Sequence, residues 1–387
     1  MKTLVFDVEA TTHAKGNPYS KYNSPVLLGF KSSVYGHISM YRDFDFPYIE
    51  SLFKEHDFII AFNLKYDFAW LRVLGFTDEL WFDKRLWDTQ LYYFLEKDQT
   101  VPFPSLDLMS EEYGFGQKFD YIKENYWNKG IDTLKIPKDE LIEYNKQDLN
   151  LTEQAFYKQY KERLGCSKKF KLFRIHQEDQ KTLIDMEYNG LHLDVDLCYQ
   201  RSKELEQDIT SAADRIKKIL PYSNDVPINL NSPPQKSALL FGGEIKDTVP
   251  LLIGEYKTGV RKGQPKYKNT EFIHQLPRLV NPLSRESPSE KGVYSTDAKI
   301  LKSLKAKGVG KKVIDILLER QKLEKLKGTY YEGWINRIDE NGWEHDLVHP
   351  TYNQCRVITG RLSSEKPNAQ NPPSQFKEVI TTRYESD

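Results

Sequence analysis

The opening run of the chain sets the tightest constraint: KTLVFDVE at 2–9 is β-branched, aromatic and apolar, and it closes on two carboxylates. Alternate side chains of a strand share a face, so Asp7 and Glu9 project together. Paired carboxylates repel, and among Leu4, Val5, Phe6 and Val8 they are costly to retain without a partner. Two arrangements satisfy such a strand. It is an edge with both acids in solvent, or its hard oxygen donors share a cation such as Mg²⁺ or Mn²⁺.

Further strands are predicted at 26–34 and 37–44, making a meander with the first. A short helix from Pro47 to about His56, a strand over Asp57–Phe62 and a helix over Lys65–Leu74 follow, the last ended by Gly75. A long helix is predicted over 138–163, with Pro137 in its first turn and Gly165 after its end. This alternation closes a first α/β domain near residue 165. Beyond it, 174–220 reads as helical apart from the Asn189-Gly190 turn and a strand-like LHLDV. Residues 221–295 are rich in Pro, Gly, Asn, Ser and Lys and read as loops with a basic insertion at about 244–292. One helical pattern returns over 297–327 behind Ser295-Thr296-Asp297, carrying Lys302, Lys305, Lys307, Lys311, Lys312, Arg320, Lys322, Lys325 and Lys327.

At 387 residues the chain is too long for one core, since domains average roughly 150 residues. A hydrophobic share of 39% excludes a disordered chain. The formal charge is zero overall, yet residues 1–165 hold 20 basic and 26 acidic side chains and the rest 36 and 30. That split suits a metal-binding module joined to a phosphate-binding one, or is scatter. Three dispersed cysteines, Cys166, Cys198 and Cys355, form neither a zinc motif nor a disulfide framework, so a reduced, cytoplasmic protein is expected. No apolar run reaches the ~18 residues a membrane span needs.

Two further segments carry acids at structured positions. FNLKYDFAWL at 62–71 passes from strand to helix, with Asp67 in the first helical turn, where an acid is also ordinary. YNKQD places Tyr144 and Asp148 four apart on one face of the long helix. Asp88-Thr89 also lies between a strand and a helix and reads as a cap.

Taken in order, Asp-x-Glu, Asn-x-x-x-Asp and Tyr-x-x-x-Asp resemble the three motifs of the DEDDy 3′→5′ exonucleases. The resemblance implies a ribonuclease-H-like fold, a mixed sheet with flanking helices, over residues 1–165. It also implies hydrolysis of DNA ends assisted by two divalent cations, Mg²⁺ or Mn²⁺. Asp7 would bridge them, Glu9 and Asp148 would complete one site, and Asp67 would hold the second. Tyr144 would orient the attacking water, and Asn63 would hold the terminal nucleotide.

The remainder, 166–387, resembles the thumb and the start of the palm of family A DNA polymerases. IDMEYNGLHLD at 184–194, NLNSPPQKSALLF at 229–241, YSTDAKILKSL at 294–304 and LLERQKLEKLKGTYYEGW at 317–334 carry the likeness. Most specific is HPTYNQCRVITGRLSSEKPNAQNPP at 349–373, in which Gln354, Arg361, Asn368 and Gln370 would contact primer-template DNA. The basic insertion suggests a phage-type enzyme. The family's later polymerase motifs are not present in these residues, so the chain is expected not to polymerise alone, as part of a split or truncated polymerase completed by a second polypeptide. Two alternatives remain: a stand-alone DEDDy nuclease, or a non-catalytic DNA-clamping subunit.

Overall fold

The computed structural model describes residues 1–116, 120–162, 167–220 and 226–382. They form two compact units, Met1–Val195 with Trp334–Asp387, and Asp196–Gly333. The α/β class read from the sequence holds. The expected boundary at residue 165, with Cys166 beside it, lies outside the described residues.

The first unit is built on β1 (Thr3–Ala10), β2 (Pro25–Ser32), β3 (Gly36–Tyr41), β4 (Phe58–Ala61) and β5 (Arg85–Asp88). They form one sheet in the order β3-β2-β1-β4-β5, antiparallel through the predicted meander and parallel from β1 to β4 to β5. Alternation along β1 divides the core. Leu4, Phe6 and Val8 join Phe30, Phe53, Phe68 and Trp81 on one face, while Val5 joins Phe58, Trp87, Leu149 and Phe156 on the other. Each such side chain contributes roughly 1.5–3 kcal/mol by leaving water. Asp7 and Glu9, in phase with Val5, therefore point to the Leu149 side.

Among the described residues seven α-helices flank this sheet: α1 (Phe46–Glu55), α2 (Leu64–Val73), α3 (Thr89–Glu96), α4 (Leu106–Tyr113), α5 (Tyr121–Asn125), α6 (Lys138–Glu162) and α7 (Ser167–Asn189). The Pro137 carbonyl accepts from the Leu141 amide, so Pro137 stands just before α6 and not in its first turn. After the Gly190 turn comes β6 (Leu191–Leu193).

In the second unit, α8 (Val195–Ile219) and α9 (Pro233–Phe241) pack Ile216, Leu239 and Leu240 against Val313 and Leu317. Residues 243–276, expected to be loop, instead form a ribbon of β7 (Gly243–Glu255) and β8 (Pro265–Leu276), paired antiparallel. The single helix expected over 297–327 is two, α10 (Ala298–Ser303) and α11 (Gly308–Lys325). The chain turns out at Leu304 (ψ 133°) and re-enters at Gly308, whose φ of +56° suits glycine. Buried Leu301 and Val313 face the same core, so apolar spacing continues through a backbone that does not. Asp297 stands at the N-cap of α10 without a capping hydrogen bond.

A wide helical turn, Leu326–Tyr331, leads into α12 (Glu332–Asn341) and back to the first unit. There β9 (Leu347–Val348), β10 (Thr351–Asn353), β11 (Ser363–Glu365) and β12 (Ile380–Thr381) follow. β6 lies between β12 and β9, and β10 pairs with β11 around the Thr-Gly-Arg turn. Among the described residues no helix is long and apolar enough to cross a membrane.

Candidate functional site

The site forms where β1 passes beneath α6. Asp7, Glu9 and Asp148 each offer a carboxylate oxygen within 4.8 Å of the others, Glu9 and Asp148 buried and Asp7 partly so. The sequence-predicted face of β1 and the predicted face of the long helix thus meet.

Asp67 stands outside that trio but touches its strand. The β1–β4 ladder stops at Val5↔Ile60, and farther along β1 the Val8 amide donates to Asp67 Oδ1 at 3.1 Å. Asp67 is buried, and its Oδ2 has no hydrogen-bond partner. Burial, then the Asp7 charge, pushes its carboxyl well above the usual carboxylate range. Four acids so arranged are stable together only with protons or cations among them, and all are hard oxygen donors of the kind divalent metals take.

Tyr144 lies one turn before Asp148 on α6, its ring edge-on to Trp127 at 5.4 Å. Desolvation first, and then Asp148, Glu9 and Asp7, raise its phenol. The hydroxyl therefore keeps its proton, which suits orienting a ligand and not abstracting a proton.

Two residues that sequence reasoning missed complete the floor. Asn145 is fully buried on α6, and its Nδ2 donates to Asp7 Oδ2 at 2.6 Å. Opposite Asp7 on β2 is Gly29, where a Cβ would come within 1.7 Å of Asn145 Oδ1. A glycine inside an apolar strand signals such an approach, and Asn145 is three residues before Asp148 on one helical face. Gly29→Ala is expected to destabilise the first unit by about 1–3 kcal/mol through overpacking. Thermal melts check this: Asn145→Ala in the same chain should recover part of the loss, and an undiminished loss in the pair would show that Asn145 is not the obstacle.

Asp88 is the cap expected from the sequence, and it does more. Its buried carboxylate accepts from the Gln90 and Leu91 amides of α3, from the Asn63 and Leu64 amides at the start of α2, and from Gln180 Nε2 at 2.7 Å. One side chain thereby fixes the junction that presents Asp67. Desolvation, offset in part by these bonds, raises its carboxyl. Asn63 holds a left-handed backbone (φ 60°, ψ 50°) and lines a cavity of about 280 Å³ with Tyr66, Gln90, Phe103, Asn353 and Lys366.

Arg361, Asn368 and Gln370 are exposed, beside and beyond the turn at Gly360 (φ +72°). Gln354 is buried, its Nε2 donating to the His176 carbonyl at 2.9 Å.

The sequence model of the family described as DNA polymerase family A matches residues 269–384. Over 340 residues, 87% of the chain, it is 25% identical to DNA polymerase I of Borreliella burgdorferi, covering 31% of that protein. It is 24% identical to the DNA polymerase of Bacillus phage SP01, covering 87% of the chain and 36% of the relative. This chain is a relative of the family A DNA polymerases. It spans about a third of the length of these relatives. Among solved structures, the polymerase domain of Pol1 from M. smegmatis, in complex with DNA primer-template and dNTP, shares the fold. That likeness has a TM-score of 0.60 at 19% identity, over 98% of this chain and 54% of the other. Family A DNA polymerases use divalent metal ions, and the Asp7, Glu9 and Asp148 cluster is a candidate place for one.

Proposed function

We propose that residues 1–165 are a ribonuclease-H-like 3′→5′ exonuclease that trims DNA ends, proofreading for a family A polymerase whose thumb and first palm residues are 166–387. The observation that carries this reading is the convergence of Asp7, Glu9 and Asp148 within 4.8 Å, with Asp67 beside them. The β3-β2-β1-β4-β5 order, antiparallel and then parallel, supports the fold assignment.

The donor set fits two divalent cations, Mg²⁺ or Mn²⁺, and the buried Asp67 Oδ2, which has no hydrogen bond, gives a second ion a ligand. When bound, such ions supply a hydroxide-like nucleophile at neutral pH and stabilise the leaving 3′-oxygen. Asp7 would be shared between them, with Glu9 and Asp148 on one side and Asp67 on the other. Asn145 fixes the Asp7 carboxylate through Oδ2. Tyr144, protonated, orients the attacking water. Asn63 and Tyr66 line the cavity that receives the terminal nucleotide. Arg361, Asn368 and Gln370 contact primer-template DNA, and Gln354 braces their segment against α7.

A 5′-labelled single strand tests the polarity: with Mg²⁺ it should shorten to a ladder from its 3′ end, and release of the label as a mononucleotide would contradict the reading. Tyr144→Phe is expected to slow this about tenfold, the scale of a lost positioning group. Single-turnover rates should place it well above Asp148→Ala; equal losses would make the tyrosine more than an orienting group.

A further inference from the structure

The ribbon of the second unit changes character from root to tip. Ile245 and Leu276 are buried in the core of that unit, whereas from Thr248 to Glu255 every residue of β7 is exposed. At about 3.3 Å per residue, the stretch from Asp247 to Glu255 carries the turn roughly 30 Å outward. Pairing is continuous in direction from Gly243↔Leu276 to Glu255↔Pro265, with one irregularity between Leu252 and Gly254, so this is an arm and not a slack loop.

At its end, YKTGVRKGQPKYK (256–268) holds Lys257, Arg261, Lys262, Lys266 and Lys268 and no acidic residue. All five cations are exposed, and among the described residues none makes an ion pair. Arg261 and Lys266 stand 5.9 and 5.8 Å from the centroid of the Tyr256 ring, whose face attracts and steadies them. Some cations elsewhere in the unit are committed to the protein itself: Lys311 pairs with Asp315, Lys327 with Glu206 and Glu332, and Arg320 is buried against the Leu230 carbonyl and Asn231. Like charges gathered at a tip destabilise it unless a polyanion lies against them.

We propose that this arm is a duplex-DNA clasp, its tip at 256–268 gripping the phosphate backbone. The assignment rests on the DNA-binding reading above. Duplex DNA carries about one charge per 1.7 Å of axis, a density that several unpaired cations on one turn can engage at once. Exposed apolar side chains run along the whole arm, from Phe272 and Ile273 near the root to Val260 and Tyr267 among the cations, so what sets the tip apart from the shaft is its charge.

The test is fluorescence anisotropy with the full chain, on a long duplex with a recessed 3′ end and on a short single strand, across a salt series. In the tip variant Lys257, Arg261, Lys262, Lys266 and Lys268 are all changed to Gln; in a shaft variant Phe272 and Ile273, which pair with Asp247 and Lys246 near the root, are changed to Ser. For the tip variant on duplex, the slope of log K against log salt should flatten by about 0.9 for each phosphate no longer neutralised, near 3 to 4.5 in total. The shaft variant should keep the parent slope. An unchanged slope in a tip variant that melts like the parent would overturn the clasp and leave the wider DNA-binding reading standing. Equal flattening on the single strand would overturn the duplex assignment, as would loss of duplex affinity in the shaft variant alone. A parent chain that binds neither probe at low salt would sink both readings.

Discussion

Asp7→Ala is expected to lower metal-dependent hydrolysis of single-stranded DNA by about a thousandfold or more, on the scale of removing a preorganised electrostatic group, and to leave the fold intact. Asp7 is only partly buried and fills no apolar core; it stands among acids that repel it. Its removal relieves that repulsion and leaves Asn145 Nδ2 without its acceptor. These effects oppose one another, so stability should move by no more than about 1 kcal/mol. Turnover and melting temperature must be measured on the same preparation. Near-parental turnover in a folded variant would remove Asp7 from the metal site, whereas loss of activity together with loss of fold would contradict the placement of Asp7 outside the core.

Asp88→Ala should produce the largest loss of stability. The side chain is fully buried, and alanine would strand the amides of Asn63, Leu64, Gln90 and Leu91 together with the Gln180 amide. Losing caps on two helices and leaving buried donors unpaired costs about 3–5 kcal/mol, on the order of 10 °C in melting temperature. Asp88→Asn keeps one acceptor oxygen and should lose less. If Ala melted no lower than Asn, the hydrogen bonds would not be what holds this junction. Asp67 follows the junction by four residues along α2, so the Ala variant should also weaken Mn²⁺ binding.

Part of the site is legible in the amino-acid sequence alone. Asp7 and Glu9 share a face because strands repeat every two residues, and Tyr144 and Asp148 share one because helices nearly repeat every four. Local periodicity also yields the meander, α2 and α6. The role of Asn145 is not legible there, because it depends on β2 passing beneath α6 at Gly29, a contact between segments far apart in sequence. Asp88 announces one cap, but its grip on Asn63 and Leu64 depends on β4 and β5 lying side by side. The ribbon at 243–276 escapes for a different reason. A strand pair exposed on both faces has no buried side, and so no apolar alternation to read. In α10 and α11 the opposite occurs: Leu301 and Val313 keep a common core across a turn, and the pattern reads as one helix.

The most direct measurement is release of the terminal nucleotide from single-stranded DNA labelled at its 3′ end, followed in a single turnover by the purified 387-residue chain. Labelled mononucleotide is expected with Mg²⁺ or Mn²⁺, none with EDTA, and recovery when metal is restored. Release that continues undiminished in EDTA, or a folded chain that releases nothing with either metal, would contradict an exonuclease built on Asp7, Glu9, Asp67 and Asp148.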